Sequence, residues 1–203
     1  CDSQARRRPR MSVLILTHAA CVAHDPGPHH PECPDRWRAV TRALEDEAFS
    51  TLPRAEAPQA TREQILRVHP EAYLNSILES APATGDRVAL DADTIMSHGS
   101  IEAALRSAGA AVAAVDAVCA GPIRQAFCAT RPPGHHAEPA RPMGFCLFAN
   151  AAIAARHAQA VHGVTRVAVA DFDVHHGNGT QACFEADASL MLASSHQWPL
   201  YPG

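Results

Sequence analysis

The stretch DFDVHHGNGT at 171–180 places two carboxylates and two imidazoles in six positions, directly after the apolar run VAVA. These side chains supply oxygen and nitrogen ligands to divalent metals and move protons near neutral pH. On an extended strand residues two apart share a face, so Asp171, Asp173 and His175 are expected to point together, with Phe172 and Val174 turned into packing. The carboxyl edge of a parallel sheet is where ligand crevices form. Asp-x-His at that edge offers two of the three protein ligands of a catalytic zinc site, which keeps one position open for water. Two carboxylates on one face also call for a compensating cation. His176 falls on the opposite face and reads as structural.

A second cluster, RPPGHHAEP at 131–139, holds His135 and His136 in a loop stiffened by Pro-Pro-Gly. Imidazoles there suit proton transfer to a leaving amine and from a metal-activated water. The two clusters together describe metal-assisted amide hydrolysis: metal for water and carbonyl, imidazole for protons.

Strand-like runs alternate with helical patterns, the mark of an α/β domain with a mainly parallel sheet. Strands are expected at 12–18, 123–130, 165–173 and 189–196. One helix is expected to begin near Asp35 as N-cap, and Thr61 with Gln64 forms a capping box for another. A helix after Pro70 takes in Ala72, Leu74, Ile77 and Leu78. The Ala-rich segment 100–121 predicts a long, closely packed helix, and 147–163 a further one stopped by Gly163.

With 203 residues, 47% hydrophobic, the chain suffices for one domain with a sizeable core. Its net charge of −4 gives no electrostatic footprint for nucleic acid or an anionic membrane, and the apolar runs read as too short to span a bilayer. All 17 basic residues are Arg, and the one dense basic run, RRRPR at 6–10, reads as part of a disordered or non-native tail at 1–10 ahead of Met11. Seven cysteines without a CxxC pair argue against a disulfide framework and a zinc ribbon, and set a reducing, cytoplasmic expectation. Cys128, Cys146 and Cys183 read as small core residues.

The segments RPPGHHAEPARPMGFCLFANAAIAA and VADFDVHHGNGT resemble the zinc-dependent histone deacetylase family of the arginase/deacetylase superfamily. HDPGPHHPECPDRWRAV, DADT at 91–94 and SSHQWPLYPG at 194–203 resemble further blocks of the family in the right order, so the likeness runs from about Met11 to the end. It implies a three-layer α/β/α sandwich around a mainly parallel sheet, with 11–203 as the N-terminal part of a single deacetylase domain. It implies Asp173 and His175 as zinc ligands, His136 as general base and acid, and His135 as the neighbouring electrostatic catalyst. Asp171 would orient His135 and Asn178 would orient His136; Asn at 178 resembles the class II and bacterial amidohydrolase branch.

The likeness further implies Phe145 lining a channel for the acyl-lysine stem and facing Tyr201, the Gly144 carbonyl accepting from substrate, and Asp93 at the rim. A potassium ion is implied on oxygens of Asp171, Asp173, His175, Ser194 and Ser195. The family's third zinc ligand and its transition-state Tyr or His have no counterpart up to Gly203, which sets an expectation of weak zinc binding and little deacetylation by the isolated chain. The substrate implied is an acetylated lysine or small amine. Alternatives are an acetylpolyamine amidohydrolase and an inactive acyl-lysine or metal-binding fragment; a dinuclear manganese ureohydrolase would need more carboxylates than DFDVHHGN provides.

Overall fold

The computed structural model describes residues 12–203; the 1–10 tail and Met11 lie outside the described residues. Strand β1 (Val13–Thr17) runs parallel to β2 (Arg54–Glu56) on one side. The hairpin β3 (Arg87–Ala89) and β4 (Ile95–Ser97) is antiparallel. On the other side β1 pairs in parallel with β5 (Gln125–Ala129), so the sheet order is β2-β1-β5. A separate parallel pair, β6 (Val167–Asp171) and β7 (Leu190–Ser194), sets Asp171 opposite Ser194.

Among the described residues six α-helices accompany these strands: α1 (Pro34–Ala43), α2 (Arg62–Leu66), α3 (Glu71–Glu79), α4 (Ser100–Ala120), α5 (Asn150–His162) and α6 (Asn178–Phe184). Strand alternation explains the layers. Ile15 packs on one face with Leu44 at the end of α1, while Leu16 packs on the other with Ala110 of α4. The result is the expected helix–sheet–helix architecture with parallel strands.

Alanine and glycine let α4 lie close to its neighbours. At Gly109 a Cβ would overlap the Pro58 carbonyl, so the loop after β2 rests directly on the helix. At 21 residues and a mean hydropathy of 1.4 in its most apolar window, α4 is long and apolar enough to cross a membrane, contrary to the sequence reading. Here it packs as a core helix: Ala103, Ala104, Ala108, Ala110 and Val112 are buried.

Other expectations shift by a few residues. Helix α1 starts at Pro34 with Cys33 as N-cap, because proline is preorganised for the first helical position; Asp35 sits in the first turn and pairs with Arg38 at 2.6 Å. The Thr61–Gln64 capping box is formed. Gly163 ends α5 with a left-handed φ of 65°. Cys146 is buried, but Cys128 and Cys183 are half-buried.

Two buried histidines tie loops to the core. Nδ1 of His69 meets the Pro139 carbonyl at 2.9 Å, and Nε2 accepts the Ala149 N–H at 3.0 Å. His24 meets Ser100 Oγ at 2.7 Å. Burial lowers the His69 pKa to about 4; burial, then the nearby Arg131 charge, lowers that of His24 to about 3. The unfolded chain therefore binds more protons than the fold below the ordinary histidine value, so stability is full above it and falls as pH drops toward these pKa values. Thermal melts between pH 7.5 and 4.5 should show a steadily falling midpoint, and His69→Gln should flatten that slope. A pH-independent midpoint in this window would contradict the assignment.

Candidate active site

Strand β5 ends at Ala129 and delivers the 130–149 loop; β6 ends at Asp171 and delivers the 172–177 turn. The strand expected to reach residue 173 stops short, because Asp171 Oδ1 accepts the Asp173 N–H (3.1 Å) and Asp173 Oδ1 accepts the His175 N–H (2.8 Å). These side-chain-to-backbone bonds replace the ladder with consecutive turns. Phe172 is then 91% exposed and Val174 50% exposed, so neither turns into packing as strand alternation predicts. Asp173 and His175 still share one side, with Asp173 Oδ1 lying 3.2 Å from His175 Nδ1.

The two loops meet through side chains. Asp171 Oδ2 lies 3.0 Å from His135 Nδ1, and a carboxylate only accepts, so that nitrogen carries the proton. His136 Nδ1 lies 2.8 Å from Asn178 Oδ1 at the start of α6. The backbones are tied as well, since Thr180 N–H donates to the His135 carbonyl at 3.1 Å. Two glycines permit this approach. A Cβ at Gly179 would overlap the Ala137 carbonyl, and one at Gly144, held at φ 57°, would overlap the His136 ring.

The His135 and His136 rings lie 3.9 Å apart between centroids. Burial first, then the His135 charge, lowers the His136 pKa to about 4, so this imidazole is neutral at physiological pH and free to accept a proton. Burial alone would raise the Asp173 carboxyl, but the His175 N–H bond and the His135 and His175 imidazoles outweigh it and hold the pKa below the usual value. A cavity of about 270 Å³ brings His135, His136, Asp173, His175, Gly144 and Phe145 together.

Phe145 adopts φ 69°, a strained left-handed conformation for a bulky residue and a frequent mark of functional loops. Its N–H donates to Thr94 Oγ1 at 3.1 Å, and its ring meets His30 edge-on at 4.9 Å. Tyr201 does not form a ring contact with Phe145; it stands edge-on to His136 at 5.0 Å and to His175 at 6.2 Å. Asp93 sits with Tyr201 and Glu138 around an adjoining cavity of about 620 Å³. Burial and the Asp91 carboxyl raise its pKa. Ser195 N–H donates to the Asp171 carbonyl at 2.9 Å, and Ser194 Oγ lies 2.9 Å from His196 Nδ1. His176 faces away from the pocket and packs on His196 at 4.6 Å.

Comparison with protein families matches residues 30–203 to the Histone deacetylase domain. The chain belongs to the histone deacetylase family. It is 41% identical to the "Histone deacetylase-like amidohydrolase" of Pseudomonas aeruginosa over 200 residues, covering 90% of this chain and 52% of that protein. It is 43% identical to a "Probable deacetylase" of Methanothermobacter thermautotrophicus, covering 94% and 56%. The solved structure "Crystal Structure of HDA15 HD domain" superposes with a TM-score of 0.88 at 32% identity, covering 95% of this chain and 56% of that one. The chain thus spans about half the length of these deacetylase relatives.

Sequence reasoning assigned no role to several residues that build this family site. Arg131 is buried, and its guanidinium donates to both Glu32 oxygens and to the Cys21 and His24 carbonyls at 2.5 and 2.6 Å. It anchors the first residue of RPPGHH to the 18–33 segment. The signal was present in HPECP and RPPGHH as one acidic and one basic residue, but their pairing across 99 positions is not local.

The residues present fit part of a zinc site. Asp173 contributes an ionised carboxylate oxygen and His175 an imidazole nitrogen, a donor set suited to zinc. Among the described residues, the group of three such ligands within 4.8 Å of one another lies elsewhere: Asp116, His157 and His162. There Asp116 Oδ1 lies 2.6 Å from His157 Nε2 and 2.7 Å from His162 Nε2. Arg67 Nη1 donates to His157 Nδ1 at 2.5 Å, which places that ring's proton on Nε2, directed at Asp116. With its lone pair taken by Arg67, His157 acts as part of a clamp between α4 and α5.

Arg131→Met is expected to lower stability by about 3–5 kcal/mol, because it leaves the buried Glu32 carboxylate with only the largely exposed Arg36 opposite it. Chemical denaturation of the variant measures this, and Glu32→Leu added to it should restore part of the loss. A single variant as stable as the parent would contradict the anchoring role.

Proposed function

We propose that this chain carries the proton-transfer half of a zinc-dependent deacetylase site, acting on the acetyl amide of a lysine side chain or a small amine. The observation that carries the proposal is the pairing of His135 with Asp171 and of His136 with Asn178, beside Asp173 and His175 in one cavity. A zinc ion held by Asp173 and His175 would polarise the water and the scissile carbonyl.

The chain's own groups supply the proton transfers and part of the substrate contacts. Nε2 of neutral His136 takes a proton from the attacking water and returns it to the departing amine. His135, with Nδ1–H fixed on Asp171, presents Nε2 to the same cavity. In this reading the Phe145 ring would wall one side of the entry, Asp93 would lie at the rim, and the Gly144 carbonyl, which accepts the Cys146 thiol at 3.2 Å, would take a substrate amide N–H on its other lone pair. Asp171, Asp173, His175, Ser194 and Ser195 supply oxygens for a potassium ion; the Asp171–Ser194 strand pairing supports that grouping. A cytoplasmic setting is part of the same proposal.

Two tests bear on it. The purified chain, alone and co-expressed with the C-terminal half of the Pseudomonas relative, would be assayed on acetyl-lysine peptides and acetylated polyamines. Turnover is expected in the complemented form, reduced by about 100- to 10,000-fold by His136→Ala, the range typical of a lost general base. Turnover unaffected by His136→Ala would contradict the role, and hydrolysis confined to acetylpolyamines would move the substrate class to small amines.

A further inference from the structure

Asn178 uses its whole amide. Nδ2 lies 2.9 Å from Glu138 Oε1 and 3.3 Å from Met143 Sδ, while Oδ1 lies 2.8 Å from His136 Nδ1. A carboxylate and a thioether have no hydrogens to give. Both amide hydrogens must therefore point at Glu138 and Met143, which turns the amide oxygen to His136. That oxygen can only accept, so His136 must carry its proton on Nδ1, leaving the Nε2 lone pair for the cavity. If the amide turned over, its NH2 would face His136 Nδ1, and the ring's proton would move to Nε2.

We propose that Glu138 is a positioning residue: through Asn178 it fixes the tautomer in which His136 can act as a base, and it is the reason position 178 holds Asn. The role as a base rests on the deacetylase reading; the tautomer itself does not. An Asp at 178 would set a second carboxylate against Glu138 at hydrogen-bond distance, where like charges repel. Asn supplies the donor that Glu138 needs and the acceptor that His136 needs. Glu138 lies only two residues beyond His136, on the same loop, so histidine and tautomer-setting group move as one piece. Its side chain lines the cavity that also holds Asp93, Arg141 and Tyr201, separate from the space where Asp173 and His175 meet.

The test is a long-range proton–nitrogen NMR correlation on the metal-free, full 203-residue chain, which reports the protonated nitrogen of each imidazole. His136 is expected to show Nδ1–H in the parent and a clear gain of Nε2–H in Glu138→Leu. Asn178→Asp alone should lower the melting midpoint while keeping Nδ1–H, since a carboxylate only accepts, and Glu138→Lys combined with Asn178→Asp should recover the midpoint with Nδ1–H retained. Nε2–H in the parent chain overturns the proposal, as does a Glu138→Leu spectrum unchanged from the parent. If Glu138→Leu does not fold, the parent spectrum and the charge-swapped pair still decide. The readout needs no turnover: an Nδ1–H His136 that responds to Glu138 would support this inference even if the complemented form hydrolysed nothing, an outcome that would defeat the deacetylase reading alone.

Discussion

Everything at the candidate site depends on two side-chain hydrogen bonds that join separate loops, His135 to Asp171 and His136 to Asn178. Each partner comes from the far side of a crossover through α5, so neither bond exists until both β5 and β6 are in place. Once formed, they determine which nitrogen of each ring bears a proton, and that decides what the rings can do chemically. The glycines at 144 and 179 follow from the same constraint, because any side chain there would occupy the space of the His136 ring or the backbone beside it.

The histidine loop is held from behind by Arg131 and His69, neither of which lines the cavity. Arg131 is gripped by Glu32 and by two carbonyls, and His69 bridges the Pro139 carbonyl and the Ala149 N–H on the other flank. A buried ion pair of this kind contributes little net stability against an apolar substitute, but breaking one half is severe. Its role here is geometric: it fixes where the loop starts, and the neutral, fully bonded His69 fixes where it ends. Rigid support of this sort lets short-range contacts set side-chain positions to within fractions of an ångström.

Much of this was legible in the sequence. The alternation of apolar runs with helical patterns predicted the parallel strands and α4, and paired histidines next to strand ends predicted that the loops would converge. Strand periodicity misled at Phe172 and Val174, because Asp171 and Asp173 take up backbone N–H groups and turn the chain before alternation can continue. Strands β2 and β3 carry mainly exposed polar or small residues, and the partly buried β4 is only three residues long, so no hydrophobic pattern announces them. Glu138 and Arg131 were visible as letters within RPPGHHAEP, yet their partners Asn178 and Glu32 are 40 and 99 positions away. Long-range polar pairing leaves no periodic trace. The Asp116–His157–His162 clamp was missed for the same reason, as its carboxylate and its imidazoles lie on different helices.

The most direct measurement of the central claim is anomalous X-ray scattering at the zinc edge from crystals of the zinc-loaded chain. The expected result is a peak between the Asp173 carboxylate and the His175 imidazole, within about 2.0–2.2 Å of their ligand atoms. A peak on Asp116, His157 and His162 with none at Asp173 would contradict the account, since it would place the metal away from the histidines held to move protons for it.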